Sequence, residues 1–146
     1  MNIGTGANYP ANALSNFSPH QFIFDGVECA SMEGLLQSFK CPHEHIQVEI
    51  CKLVGRAAKF KGKKYKWFKN QKLFWKGKEY ARDSKDYQEL LDRAFDALNT
   101  NEHFKKALKA TNDSKLTHSM GKSKINLTVL TENEFCSRLT KLRSLL

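Results

Sequence analysis

Long apolar stretches are missing from this 146-residue sequence. A membrane-spanning helix needs about 18 or more consecutive apolar residues, and no segment approaches that length. The segment from Met1 to Pro10 also lacks the basic start and apolar core of a signal peptide. We therefore expect a cytoplasmic protein that has no membrane partner.

Cysteine is sparse and scattered, with single residues at Cys29, Cys41, Cys51 and Cys136. This usage is typical of reduced thiols rather than of a disulfide framework. The segment from Cys41 to His45 contains metal-ligating residue types, but their spacing fits no standard zinc pattern. Gly-x-Gly-x-x-Gly, P-loop and Gly-x-Ser-x-Gly motifs are absent. We therefore predict neither a metal site nor a cofactor.

Acidic residues are absent from Ile50 to Lys78, a stretch that we call the basic segment. It carries eleven Lys or Arg residues, whereas the remaining residues comprise 13 basic and 15 acidic side chains. The basic segment therefore supplies the whole net charge of +9. Positive charge that is concentrated in this way predicts an anionic partner, such as phosphate, nucleotide or nucleic acid.

Short-range signals predict a mainly helical α+β fold with one or two short strand pairs, and the length suits a single domain over residues 1–146. Asp25-Gly26 between apolar residues predicts a short N-terminal hairpin. Ser31 is placed to cap a helix that runs to about Lys40. Apolar residues at helical spacing then predict a second helix that opens after Pro42 and continues to Ala58.

The rest of the chain is predicted to consist of loops and three further helices. The residues from Phe60 to Lys78 show poor periodicity, so we expect loops with at most one short helix. Apolar stripes and capping residues predict helices that start at Asp83 or Ser84, at Glu102 and after a capping box at Thr131.

Several short motifs between Leu14 and Lys40 follow one another in a characteristic order. Leu14-Ser15-Asn16-Phe17 precedes Pro19-His20-Gln21-Phe22, then Asp25-Gly26, and then Glu33 on the first predicted helix. This order resembles the signature of the NADAR family, and it is also similar to small proteins of T4-like phages. More loosely, the later segments Gly55-Arg56, Arg82-Asp83 and Leu108–Asp113 resemble family motifs. The resemblance implies a YbiA-like fold and, for a phage protein, a location in the host cytoplasm.

Three departures from the family pattern bear on activity. Gly34 stands where many members have a His directly after the glutamate, and a family Trp is replaced near Ser84. The late Trp-Gly-x-Gly motif is missing, and the segment from His118 to Lys122 occupies its place. His118 is interpreted either as a structural histidine or as a substitute for a missing catalytic partner.

The resemblance implies an N-glycosidase that cleaves a ribosyl or ADP-ribosyl group from an amine. A ribosylamine or ADP-ribose on a guanine of nucleic acid would be the substrate. Glu33 would act at the anomeric carbon, although a first-turn glutamate can also simply complement the helix dipole. The residues that the resemblance assigns to substrate binding are Asn16, Phe17, Gln37, Lys40, Arg56, Arg82 and Asp83. A turn and a core position are the structural alternatives for Asn16 and Phe17.

The centre of the basic segment interleaves cations with aromatic residues, a pattern that suits a phosphate backbone with stacked bases. The predicted nucleic-acid contacts are Lys61, Lys63, Lys64, Lys66 and Trp67. A solvated loop whose aromatic residues fill the core is the alternative.

The function of the whole protein has two alternatives to an enzyme. One is an inactive module that binds nucleic acid or ADP-ribose, and the other is a protein that binds and blocks another protein.

Overall fold

The computed structural model describes all 146 residues and contains six α-helices and two small antiparallel sheets. The strands are β1 (Phe22–Phe24), β2 (Val27–Cys29), β3 (Lys72–Trp75) and β4 (Lys78–Ala81). The helices are α1 (Met32–Ser38), α2 (Glu44–Cys51), α3 (Gly55–Gly62), α4 (Lys85–Leu98), α5 (Glu102–Ala110) and α6 (Glu132–Ser144). This is the mainly helical α+β architecture that the sequence predicts. None of the helices is both long and apolar enough to cross a membrane.

The N-terminal hairpin forms where the Asp25-Gly26 pair predicts it. Both residues have positive φ, 48° and 80°, which is the backbone that the tight turn between β1 and β2 requires. The register pairs Phe22 with Cys29 and Phe24 with Val27, so that Phe22 and Phe24 point into the core. The hairpin thereby leads directly to Ser31 and to the start of α1.

The single helix predicted from Pro42 to Ala58 is wrong, because the chain breaks into α2 and α3. Helix α2 ends at Cys51, and α3 begins at Gly55, whose φ of 54° is incompatible with a continuous right-handed helix. Val54, between the two helices, is 38% exposed. The break lets α3 turn away from α2 and pack separately against α1.

A second hairpin begins inside the part of the basic segment that was predicted to be loops, and its second strand continues beyond that segment. Lys76 and Gly77, at φ 48° and 84°, form the turn between β3 and β4. Leu73, Trp75 and Tyr80 point inward, whereas the intervening residues are more exposed. Because each strand has only four residues, the alternation is too short to stand out in the sequence.

The remaining helices begin where the sequence predicts them. Ser84, Asn101 and Thr131 each accept a hydrogen bond from a backbone amide in the first turn of α4, α5 and α6. Thr131 and Glu134 form the predicted capping box. One face of α4 enters a core cluster of 29 buried residues, to which α1, α5, α6 and both hairpins also contribute.

Candidate functional site

A pocket of about 1000 Å³ opens between α1, α3 and four loop segments. The loops are those around Gly4, Asn16 and His118, together with residues 127–130. A volume of this size can hold a nucleotide-sized ligand. The lining is mixed, with 10 hydrophobic residues among 24.

Glu33 lies in the pocket because three local interactions fix the start of α1. The Ser31 hydroxyl accepts a hydrogen bond from the Gly34 amide at 3.1 Å and donates one to the Leu53 carbonyl at 2.9 Å. The Glu33 amide donates to the Asn16 carbonyl at 3.0 Å, so the Leu14–Phe17 motif and the glutamate are directly joined. On the side chain, Gln37 Nε2 donates to Glu33 Oε2 at 2.6 Å. The carboxylate is therefore held in one orientation.

Gly34 explains one departure from the family pattern in physical terms. A Cβ on this residue would lie 2.6 Å from the Leu53 carbonyl oxygen and 3.0 Å from that of Ile50. Helix α1 therefore crosses the carboxyl end of α2 at a distance that only glycine permits. A histidine at this position, as in many family members, would require a different packing of α2.

Charge inside the pocket is predominantly positive. Lys40, Lys59 and Lys122 all line it together with Glu33. Burial raises the pKa of Glu33, while the Gln37 hydrogen bond and the charges of Lys40 and Lys59 oppose that rise. Burial likewise lowers the pKa of Lys40, an effect that Glu33 opposes and that Lys59 and Lys122 reinforce. Three ammonium groups around one carboxylate leave an excess of positive charge that suits a phosphorylated ligand.

Most of the residues that the sequence assigns to substrate binding come together at this pocket. Its lining includes Asn16, Phe17, Gln37, Lys40 and Arg56 beside Glu33. The Asn16 side-chain amide makes no hydrogen bond within the protein and is available to a ligand. Asp83 is exposed and lies outside the pocket.

Arg82 does not reach the pocket, contrary to the expectation that it holds phosphate. Its side chain is only 1% exposed and forms a two-pronged ion pair with Glu134, at 2.6 and 3.1 Å. Its Nε donates to the Thr128 carbonyl at 2.8 Å. Because Thr128 lines the pocket, Arg82 positions one wall from behind. Three of its N–H groups donate to protein acceptors, and burial behind the wall keeps the guanidinium away from a substrate.

The predicted nucleic-acid residues divide into two groups. Lys63 and Trp67 line the pocket, whereas Lys61, Lys64 and Lys66 are exposed outside it. Trp67 is only 7% exposed and belongs to the main core cluster, so its ring is not the free stacking surface that was expected. A chain of this size needs some of its aromatic residues to fill the core, and the indole of Trp67 is one of them.

The segment from His118 to Lys122, which replaces the family's late motif, also lines the pocket. His118 Nδ1 donates to the Ile3 carbonyl at 2.8 Å, and its ring packs edge-on against Phe135. In the neutral imidazole this leaves Nε2 as an unprotonated acceptor. The contact with Ile3 supports a structural role, and the free Nε2 keeps a chemical role open.

The pocket residues that were not predicted as site residues include Phe60, Lys59, Met120 and Lys122. Phe60 and Lys59 belong to the basic segment, and their helical spacing from Arg56 is the signal that was available. No local pattern marks Met120 and Lys122, because only tertiary folding brings them opposite α1. The side chains also contain no group of three or more His, Cys, Asp or Glu that could hold a metal ion.

The fold places the protein in a known structural class. The structure of the Escherichia coli protein YbiA superposes with a TM-score of 0.65, covering 99% of this chain and 83% of that one, at 16% identity. The YbiA-like fold expected from the sequence is therefore confirmed.

At the level of sequence, residues 8–144 match the family described as bacteriophage protein GP30.3. A 17.1 kDa protein from the Gp30–rIII intergenic region of Enterobacteria phage T4 is 36% identical over 147 residues, covering 98% of this chain and 96% of the relative. The chain belongs to the phage GP30.3 family, and the expected similarity to proteins of T4-like phages is confirmed.

Proposed function

We propose that the protein is an N-glycosidase that cleaves a ribosyl or ADP-ribosyl group from an amine. The observation that carries this proposal is the position of Glu33, an oriented and largely buried carboxylate in a pocket rich in cations. The resemblance of Leu14–Lys40 to the NADAR signature and the YbiA-like fold support the same function. The candidate substrates are a ribosylamine phosphate and ADP-ribose attached to guanine in nucleic acid.

Glu33 has the properties that cleavage of an N-glycosidic bond requires. The transition state resembles an oxocarbenium ion, which an adjacent carboxylate stabilises electrostatically. Burial also raises the pKa of Glu33 toward neutral pH. A carboxylate with a higher pKa is a better base for taking a proton from the attacking water. The hydrogen bond from Gln37 prevents the carboxylate from rotating away from the sugar. Gln37 is thus a positioning residue in this mechanism.

The cations of the pocket would bind the phosphate groups of the substrate. Lys40 and Lys59 are close enough to Glu33 to affect its pKa, so a phosphate between them lies near the reacting sugar. Arg56 lines the same wall on α3 and offers two parallel hydrogen bonds to a phosphate. The Asn16 amide and the Phe17 ring would contact the ribose hydroxyls or the base.

One observation favours a second function, which is binding without turnover. The segment from His118 to Lys122 lacks the family's Trp-Gly-x-Gly element although it lines the pocket. If that element supplies part of the catalytic apparatus, this chain retains the binding pocket alone. The ligand would still be ADP-ribose-like or a nucleic acid, because the cations and the free Asn16 amide are unchanged.

Mass spectrometry distinguishes the two functions. The protein is incubated with an oligonucleotide that carries ADP-ribose on a guanine amino group and, separately, with a ribosylamino-pyrimidine phosphate. The glycosidase predicts release of ADP-ribose from the oligonucleotide, which leaves an unmodified guanine in the strand, or release of the free pyrimidine amine from the phosphate, and Glu33→Gln should abolish that release. Binding of either compound by the unmodified protein without any release would support the binding module and contradict the glycosidase.

A further inference from the structure

The two most exposed large apolar side chains of the protein lie on the same pocket. Met120 is 84% exposed and Phe60 is 76% exposed, and both belong to the pocket lining. They come from different segments, the loop after His118 and helix α3. Apolar surface that is left in water next to a charged pocket indicates a binding surface.

Helix α3 presents an unusual stripe to this pocket. Arg56, Lys59, Phe60 and Lys63 are spaced as i, i+3, i+4 and i+7, which places them on one helical face. In an ordinary amphipathic helix such a face is apolar and enters the core. Here the core side is formed by Ala58 and Gly62, and the pocket side combines three cations with one aromatic ring.

We propose that Phe60, with Met120 on the same pocket, stacks on an unpaired base of a single-stranded nucleic acid whose backbone follows α3. An aromatic ring is a stacking platform for any base, and a thioether packs favourably against aromatic rings. The cations before and after Phe60 lie where the adjacent phosphates pass. This inference rests on the proposed function, because it assigns to the same pocket a substrate that is part of a strand.

Charge outside the pocket favours a strand over a free nucleotide. The seven Lys and Arg residues from Arg56 to Lys69 form no ion pair with any carboxylate. Four of them lie outside the pocket, namely Lys61, Lys64, Lys66 and Lys69. The two phosphates of a free nucleotide within the pocket cannot reach these four, whereas a polymer can neutralise them along its length.

Fluorescence anisotropy with a labelled single strand of about 12 nucleotides tests the inference, since this length falls within known single-strand site sizes. The matched probe is a strand of equal length in which every base is absent. Phe60→Ala should weaken binding of the base-bearing strand by about 5- to 100-fold, the usual effect of losing one stacking contact. The variant should leave the abasic strand and the salt dependence unchanged, because no phosphate contact is removed.

Phe68→Ala is the matched control, since Phe68 is an exposed aromatic residue of the same basic segment that lies outside the pocket. It should leave both affinities unchanged, and Phe60→Trp should restore tight binding of the base-bearing strand. The inference would be overturned if Phe60→Ala weakened the binding of both strands equally or did not weaken binding at all. It would also be overturned if Phe68→Ala weakened binding as much as Phe60→Ala. The absence of strand binding at low salt would overturn it as well.

The inference and the proposed function fail separately. Base-selective binding that depends on Phe60, without cleavage of either substrate, would support the stacking inference and overturn the glycosidase. Cleavage of either substrate, together with strand binding that does not depend on Phe60, would support the glycosidase and overturn the stacking inference.

Discussion

Helices α1 and α3 line the same pocket but differ in nearly every physical respect. Six of the seven residues of α1 are buried, whereas only Ala58 and Gly62 are buried in α3. Helix α1 carries the oriented carboxylate of Glu33, and α3 carries unpaired cations and an exposed aromatic ring. Under the proposed function this difference corresponds to a division of labour, in which a packed helix holds the half-buried carboxylate of Glu33 and an exposed helix captures an anion.

This division has consequences for mutation. A change to the buried side should act first on folding, because packing and buried hydrogen bonds leave little room for adjustment. A change to the exposed side should act on binding and leave folding intact. The following experiments test whether mutations on the buried side change folding and mutations on the exposed side change binding.

The largest effect on stability is expected from Arg82→Met, which breaks the ion pair behind the pocket wall. Glu134 would be left largely buried without its cationic partner, and the loss of one partner from such a pair costs about 3–5 kcal/mol of unfolding free energy. Urea denaturation measures this loss. Lys52→Met removes an exposed ion pair with Glu49 and should cost at most about 1 kcal/mol. Similar losses in the two variants would show that the wall does not depend on Arg82.

The next largest effect concerns binding at the exposed side. A variant in which Lys61, Lys63, Lys64 and Lys66 become Gln should bind single strands about 10- to 100-fold more weakly near 0.1 M salt. The unmodified protein should show a log–log salt slope of about −2 to −4, and the variant should show a clearly flatter one. The weakening should be the same for every sequence, because phosphate contacts carry no base information. The melting temperature should change little.

A second variant with the same change in net charge controls for long-range attraction. It replaces exposed lysines remote from the pocket, namely Lys85, Lys106, Lys109 and Lys141. If this variant loses as much affinity as the first, net charge alone would explain binding and the location of the basic segment would be irrelevant.

Gly34→Ala tests the close crossing of α1 over α2. The added Cβ would meet the Leu53 carbonyl oxygen at 2.6 Å, so we expect a loss of about 1–3 kcal/mol in unfolding free energy. Gly6→Ala is the matched control, since its Cβ would meet no atom within 4 Å. A neutral or stabilising Gly34→Ala would mean that α2 moves aside easily, and the structural reason for the missing histidine would then be wrong.

The smallest effect is a gain in stability on replacing the carboxylate of Glu33. Burial raises the folded-state pKa of Glu33, so the folded protein holds this proton more tightly than the unfolded chain. The unmodified protein should therefore lose stability relative to Glu33→Gln as pH rises from about 4.5 through the raised pKa. Above that range the variant should be more stable by on the order of 1 kcal/mol, because it does not bury a charge.

Thermal denaturation across that pH range measures the difference, and the exposed Glu28→Gln controls for the change in net charge. A gain in Glu33→Gln that is equal at pH 3 and pH 7 would show that burial of the carboxylate is not its cause.

The sequence predicts the fold well where a short-range signal decides the structure. The Asp25-Gly26 turn, the Ser31 cap and the Thr131–Glu134 capping box depend on residues within a few positions of one another, and all three form. The resemblance to a known family correctly predicts the YbiA-like fold. The break at Gly55 is harder to predict, because glycine occurs inside helices as well as at positive φ.

The sequence predicts the site less completely, because the position of a site residue in the fold depends on contacts with residues that are far away in the sequence. Arg82 and Glu134 are 52 residues apart, and their pairing removes Arg82 from the set of ligand-binding cations. Trp67 and Phe60 are both aromatic residues among lysines, yet one is buried and the other exposed. Local pattern cannot separate the two cases, since the difference lies in which side of the chain meets the core.

Single-turnover cleavage by the unmodified protein and by Glu33→Gln tests the role of Glu33 most directly. The protein is mixed in excess with the oligonucleotide that carries ADP-ribose on guanine, or with the ribosylamino-pyrimidine phosphate, and released product is followed by mass. We expect Glu33→Gln to bind with unchanged affinity and to cleave about 10²- to 10⁴-fold more slowly. A variant that cleaves at the rate of the unmodified protein, or an unmodified protein that cleaves neither compound, would contradict the assignment of Glu33 as the catalytic group.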